Sequence, residues 1–235
     1  MEPDQLLAEG VTPDGDPITL TLEEGYYVIR VWHEPLMSSE AHGSEQLMAE
    51  LACRPLAFRE GVRVLIGGLG LGFTLRAALD ELGGEAEVVV AELLPVLVEW
   101  HRGPLGPLAD HALDDPRVRL ELGDVVAYLR EGAETFDAIL LDIDNGPEAF
   151  TVRGNESLYG DRGIRSLKRA LRPGGVLVVW SAFESESFVA RLERAGLSTE
   201  VFPARAHGGM GKDAEHRLIV ARERAEGPRG RAARG

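Results

Sequence analysis

The chain has a single cysteine, Cys53, among its 235 residues. One thiol cannot close an intramolecular disulfide, so no disulfide framework supports the fold, and a cytoplasmic setting is the expectation. No apolar run approaches the ~18 residues of a membrane span. The start, Met1-Glu2-Pro3-Asp4, lacks the basic and apolar segments of a secretory signal, so neither membrane insertion nor export is expected. Histidines are few. The pairs His33 and His42, His101 and His111, and His207 and His216 show no zinc spacing, and no metal is expected. Positive charge is outnumbered, with 25 Lys and Arg against 39 Asp and Glu for a net charge of -14. Such a surface repels polyanions, which argues against nucleic acid as a substrate, and attracts small cations such as amines. With 44% hydrophobic and 27% charged residues, the chain suits a globular protein with one large core or two small ones.

From Val62 onward, short apolar runs alternate with helical patterns, the signature of βαβ units around a mostly parallel sheet. Strands are predicted at Val62 to Ile66, Glu87 to Ala91, Val118 to Glu121, Phe136 to Leu141 and Val176 to Trp180. Their Val, Ile and Leu content suits strands covered on both faces. Helices are predicted at about residues 73 to 82, 95 to 102, 124 to 131, 157 to 171 and 185 to 195, with Pro95 in a first turn and Pro173-Gly174-Gly175 as a stop. Two last strands, Ser198 to Phe202 and His216 to Ala221, complete a seven-stranded sheet with an antiparallel final hairpin. The expected fold is therefore α/β, a Rossmann-like seven-stranded sheet with helices on both faces and a small N-terminal extension. That extension reads as a β-hairpin, Pro17 to Leu22 with Tyr26 to Trp32, followed by a helix from Ser44 to Leu51. The expected organisation is 1–60 as extension, 61–222 as catalytic domain, and 223–235 as a disordered basic tail too poor in apolar residues to bury itself.

Strand Val62 to Ile66 runs into Gly67-Gly68-Leu69-Gly70-Leu71-Gly72, which places glycines at the sheet edge where open α/β folds bind ligands. The dinucleotide fingerprint requires a further glycine where Phe73 stands, so nicotinamide and flavin cofactors are disfavoured. Gly67, Gly68, Gly70 and Gly72 are candidates to cradle a nucleoside. Glu92, at the end of the next strand, could accept hydrogen bonds from both ribose hydroxyls. Asp124 could accept from an adenine amine or simply cap the helix that follows. Asp142 and Asp144 end the fourth strand opposite the glycine turn, where either both close a strand and a turn or, as the shared sheet edge favours, at least one is functional. Trp100 and His101 are either core or close to an adenine.

These residues resemble the polyamine aminopropyltransferases, or spermidine synthases, which share the class I methyltransferase fold. The resemblance runs from Val62 to about Ala182. Val64 to Gly68 and Thr74-Leu75-Arg76 match the first loop and helix, Glu92 the ribose-binding acid, and Gly123-Asp124 the adenine-binding pair. Phe136 to Asp142 match the catalytic strand, Glu156-Ser157-Leu158-Tyr159 a following segment, and Lys168 to Val176 the end of the match. The resemblance implies an adenosyl sulfonium donor, S-adenosylmethionine or its decarboxylated form, a small cationic acceptor, and an N-terminal element used for dimerisation.

Two departures matter. An aspartate that holds the aminopropyl donor's amine in the family falls on Leu71, which removes discrimination against the ordinary methyl donor. The catalytic loop becomes Asp142-Ile143-Asp144-Asn145-Gly146-Pro147, with a longer stretch before Glu156. On the strength of Leu71, methyl transfer from S-adenosylmethionine is expected ahead of aminopropyl transfer to a putrescine-like amine, with a non-catalytic nucleoside-binding protein as a further alternative. For the acceptor, Trp32, His33, His42, Glu45 and Gln46 are the available polar and aromatic groups. A glycine-rich loop around Gly208 is a further candidate for the acceptor site.

Overall fold

A computed structural model describes residues 4–131, 135–143, 146–147, 156–205 and 216–223. The chain opens with an antiparallel sheet of four strands in sequence order, β1 (Gln5–Val11), β2 (Pro17–Glu23), β3 (Tyr26–Val31) and β4 (Glu34–Ser38). The central pair is the predicted hairpin; β1 and β4 are additional. Both are edge strands without a clean alternation of apolar and polar residues. Leu6 and Val11 of β1 point to solvent, and β4 contains Pro35, which an edge position tolerates. The inner face of this sheet buries Ile18, Leu20 and Ile29 against Leu71, Val96, Leu97, Trp100 and Leu105. Gly10 permits that approach, since a Cβ there would lie 2.5 Å from Val96 Cγ2.

The rest of the described chain builds the large sheet. In order come α1 (Gly43–Cys53), β5 (Arg63–Gly67), α2 (Phe73–Glu81), β6 (Glu87–Glu92), α3 (Pro95–His101), β7 (Val118–Leu122), α4 (Val125–Glu131) and β8 (Phe136–Leu141). Then follow α5 (Glu156–Tyr159), α6 (Asp161–Ala170), β9 (Leu171–Ser181), α7 (Glu186–Arg194), β10 (Leu197–Ala204) and β11 (His216–Glu223). The strand order is β10-β11-β9-β8-β5-β6-β7. Strands β7, β6, β5, β8 and β9 are parallel, and β11 lies antiparallel between β9 and β10. This is the predicted seven-stranded sheet with its antiparallel final hairpin.

Alternate residues of the buried strands feed two cores. Val64, Ile66, Val88, Val90, Ala138 and Leu140 face α1 and α2. Leu65, Val89, Ile139, Leu141, Leu177 and Val179 face the layer containing α4, α6 and α7. Each such side chain contributes about 1.5–3 kcal/mol by leaving water. Met48, Ala49, Ala52 and Cys53 of α1 belong to the first core, so α1 is part of the large sheet's packing. Burial pushes the Cys53 thiol up to about 12, which leaves it an inert core residue.

Two boundaries differ from expectation. The helix predicted over residues 157 to 171 is broken at Gly160 into α5 and α6, and Gly163 packs so closely on the Leu158 backbone that no side chain would fit. Strand β9 begins at Leu171 and continues through Pro173-Gly174-Gly175; the register with β8 shifts between Phe136 and Ala138 to absorb those residues as a bulge.

Candidate active site

The sheet reverses its direction of growth at the β5/β8 boundary. The crevice above the C-terminal ends of such strands is where ligands enter doubly wound folds. Gly67 ends β5, and Asp142 follows β8 on the neighbouring strand, with the Asp142 amide donating to the Gly67 carbonyl at 2.9 Å. Gly68 has φ +91°, and a side chain there would collide with the Asp142 carbonyl. The glycine is needed both for its left-handed backbone and for this close approach.

Glu92 organises the turn. Its Oε2 accepts the Leu69 amide at 2.7 Å and its Oε1 the Leu94 amide at 2.7 Å, and the side chain is buried. Burial raises its pKa, and bonds from Leu94, Leu69 and neighbouring amides oppose that rise. The structure thus gives Glu92 the work of pinning the glycine turn to the end of β6. His101, buried beneath the turn, donates from Nε2 to the Gly70 carbonyl at 2.9 Å. A Cβ on Gly72 would sit 2.8 Å from its ring. Trp100 is buried with the N-terminal sheet. Both residues therefore hold structure, and neither stacks on an exposed adenine site. Asp124 accepts the Val126 amide at 2.8 Å, the cap anticipated as its alternative role, and is itself exposed. Leu93 and Leu122, at the ends of the paired strands β6 and β7, are exposed apolar groups beside it.

Polar and ionisable groups gather around Asp142. Thr74, buried in the first turn of α2, donates its hydroxyl to Asp142 Oδ2 at 2.7 Å. Burial raises the Asp142 pKa, and the Thr74 bond opposes it. Across the crevice, Glu45 in the first turn of α1 is pushed up to about 7, chiefly by burial and then by the negative charge of Asp142, while a bond from Ser44 pulls it down. Two carboxyl groups that resist being ionised together form a site that a cation relieves. His42, just before α1, stacks on Phe73 with ring centroids 4.2 Å apart. Its buried Nδ1 has no hydrogen-bond partner among the described residues.

Behind Glu45 lies a polar network. The fully buried Ser44 hydroxyl is 2.6 Å from Glu45 Oε2, 2.9 Å from His216 Nδ1 and 3.1 Å from Trp180 Nε1. Glu45 was among the polar groups anticipated for the acceptor. Thr74, Ser44, Trp180 and His216 were not assigned to the site, although Ser44 opens a predicted helix and Trp180 closes a predicted strand. Trp32, His33 and Gln46 are not brought into this cluster. Asp144, the loop around Gly208 and the tail from residue 224 lie outside the described residues. Among the described residues, no group of three or more His, Cys, Asp or Glu is placed to hold a metal ion, and no helix is long and apolar enough to cross a membrane.

Residues 51–193 match the family model for the spermine/spermidine synthase domain. The chain belongs to the spermine/spermidine synthase family. Among similar curated proteins, polyamine aminopropyltransferase 2 of Pseudomonas aeruginosa is 35% identical over 152 residues, covering 59% of this chain and 39% of that protein. Polyamine aminopropyltransferase 1 of Hyperthermus butylicus is 35% identical over 129 residues, covering 49% and 39%. The chain thus spans well under half the length of these relatives. Spermidine synthase from Thermotoga maritima aligns over 94% of this chain and 73% of its own with a TM-score of 0.70 at 18% identity. A spermidine synthase in complex with the transition state analogue AdoDATO gives 0.71 at 17% identity over the same shares. These likenesses establish the spermidine synthase fold.

Methyl transfer, expected from Leu71, is overturned by the family match and by relatives that are named aminopropyltransferases. The structure gives the physical reason. Leu71 is buried in the apolar cluster that joins the N-terminal sheet to α3, so it does not offer its side chain to a donor, and its lack of charge carries no information about donor choice. Two carboxyls that do act on one another at this sheet edge are Glu45 and Asp142.

Proposed function

We propose that the protein is a polyamine-type aminopropyltransferase, transferring the aminopropyl group of decarboxylated S-adenosylmethionine to a small diamine or polyamine such as putrescine. The observation that carries this reading is the pairing of the Asp142 and Glu45 carboxyls beside the glycine turn. Both donor and acceptor bear ammonium groups. Two half-buried carboxyls favour those cations and repel the carboxylate of intact S-adenosylmethionine. In this reading, Gly67, Gly68, Gly70 and Gly72 form the floor under the nucleoside, Glu92 and Asp124 face its ribose and adenine, and Leu93 and Leu122 flank the base.

The sulfonium carbon is intrinsically reactive, so the protein must mainly align an uncharged nitrogen with it and exclude water. Asp142, held by Thr74, orients the acceptor amine, and the carboxyl pair accepts its proton; Asp144 is retained as a second candidate on the same loop. The amine lone pair then forms a C–N bond as the C–S bond breaks, and sulfur keeps the electron pair as a neutral thioether. No metal and no covalent enzyme intermediate is required. We assign residues 61–222 as the catalytic unit, 1–60 as the platform that brings Glu45 to it, and 223–235 as a basic tail. A cytoplasmic homodimer completes the reading, supported by a buried, inert cysteine and by the family likeness of the N-terminal element. Light scattering on the purified chain tests the dimer.

The deciding assay incubates the protein with labelled decarboxylated S-adenosylmethionine and amines of graded length, following the labelled product and the released thioether. Transfer to at least one amine, with none from intact S-adenosylmethionine, is the expected result. Donor binding without transfer to any amine would overturn it.

A further inference from the structure

Each aminopropyl transfer releases one proton, because the acceptor nitrogen must shed a hydrogen before it can attack and the sulfonium charge ends on the new ammonium product. That proton needs a way out of the crevice. We propose that Ser44 connects Glu45 to His216 and that His216 is the exit for the acceptor's proton; this rests on the aminopropyl-transfer reading.

The geometry carries it. Trp180 has only an N–H to give, so it donates to Ser44 Oγ at 3.1 Å and fixes the hydroxyl. One hydrogen then remains on Ser44, with two neighbours able to accept it: Glu45 Oε2 at 2.6 Å and His216 Nδ1 at 2.9 Å. When Glu45 is ionised, the hydroxyl donates to Glu45, and the His216 Nδ1–H donates to Ser44. When Glu45 is protonated, it donates to Ser44, and the hydroxyl donates to an unprotonated His216 Nδ1. In that second state the transfer is a pair of concerted hops. The Glu45 O–H bond breaks as a new O–H forms on Ser44, and the original Ser44 O–H bond breaks as N–H forms on His216. The resulting imidazolium loses its Nε2 proton to water, which leaves the Nδ1–H tautomer beside an ionised Glu45; once the ring turns Nδ1–H to water, loss of that proton and uptake of another at Nε2 restore the starting tautomer. His216 is partly exposed, whereas Ser44 is fully buried, so the chain runs from the crevice towards solvent.

Among the described residues, the following groups face this path. Asp142 faces Glu45 from the end of β8. His216 lies against Trp180 of β9, with ring centroids 4.6 Å apart. The next residue, Arg217, donates to the His216 carbonyl at 3.1 Å and pairs with Glu184. His42 precedes α1 and stacks on Phe73. Ser44 and His216 are positioning residues in this scheme, since neither touches substrate.

Two measurements test it. In turnover assays, His216→Ala is expected to lower kcat about tenfold with the amine KM unchanged, and imidazole in the buffer is expected to restore the rate of that variant while leaving wild type and Ser44→Ala unaffected. Wild-type kcat in His216→Ala, or a loss that imidazole does not restore, overturns the exit. Nitrogen NMR of labelled histidines, with His216 assigned by its variant, reads the link without any turnover. His216 is expected to change tautomer as Glu45 titrates, from Nε2–H to Nδ1–H with rising pH, and to lose that change in both Glu45→Gln and Ser44→Ala. An unchanged tautomer profile in these variants overturns the link. Absence of aminopropyl transfer in wild type with the NMR coupling intact would instead sink the proposed function and leave the Glu45–Ser44–His216 connection standing.

Discussion

Two aspartates mark the two ends of one strand, and they have opposite surroundings. Asp137, near the start of β8, is buried and saturated: Oδ2 accepts from the Arg63 amide at 2.9 Å and from Arg172 at 2.5 Å, and Oδ1 faces Arg59 at 3.1 Å. Asp142, after its end, has the Thr74 hydroxyl at 2.7 Å and a second carboxyl, that of Glu45, where a cation would otherwise be expected. The first carboxylate is compensated by its own fold. The second has no cation placed against it among the described residues. An acid therefore signals chemistry when its neighbours leave its charge unpaid; Asp137 is the more deeply buried of the two, and its arginines quiet it.

The largest contrast should come from neutralising each end in turn. Asp142→Asn is expected to cut turnover at least about a thousandfold, about 4 kcal/mol in barrier, while thermal unfolding stays level or rises because a charge disfavoured by its surroundings has been removed. Steady-state kinetics and calorimetry on one sample check both halves. Moving a carboxylate to the other side of the turn should fail: Leu71→Asp places an unpaired acid among Ile18, Leu20 and Leu97 and is expected to destabilise by about 3–4 kcal/mol without improving donor binding. Denaturant midpoints and donor titration report on it. Asp137→Asn should mirror Asp142→Asn. It leaves Arg59 and Arg172 under-compensated, for a loss of about 2–3 kcal/mol in urea unfolding, with turnover per folded molecule within about twofold of wild type.

The smallest effect concerns pH. Glu45 titrates at about 7 in the folded chain against an ordinary 4.5, so between these values the folded protein binds more protons than the unfolded one. Its contribution to stability is then present below about 4.5, falls as pH rises to about 7 and stays flat above. Glu45→Gln removes that slope and is expected to be more stable than wild type at pH 8, by on the order of 1–2 kcal/mol once solvent screening of this half-exposed side chain is allowed for, with the two converging near pH 4. Unfolding curves at the two pH values decide it.

Much of the fold was legible in the sequence because parallel strands covered on both faces spell themselves as apolar runs; β8 was predicted residue for residue. Edge strands β1 and β4 escaped because half their residues face water and Pro35 reads as a break. The start of β9 escaped because a bulge carries the strand through Pro173-Gly174-Gly175, residues that read as a stop. The position of Asp142 at a strand end, next to the glycine turn, was legible because the apolar run of β8 stops there. Leu71 was misread because alignment gives a position in the chain and says nothing about which side of a turn a side chain takes. Glu45 was visible only as an available acid, and its bond through Ser44 to His216 spans 172 residues, a contact that no local pattern announces.

The position of β11 has a consequence for how the molecule is made. It is the last strand of the described chain, yet it sits inside the sheet, and β10 pairs with no other strand among the described residues. On the ribosome, β5 to β9 can assemble while β10 waits with its edge unpaired. The sheet closes only when β11 slides into the gap. His216 is the first residue of that strand, so the polar network behind Glu45 is completed in the same event that completes the fold, and an unfinished chain holds its paired acids without the imidazole beside them.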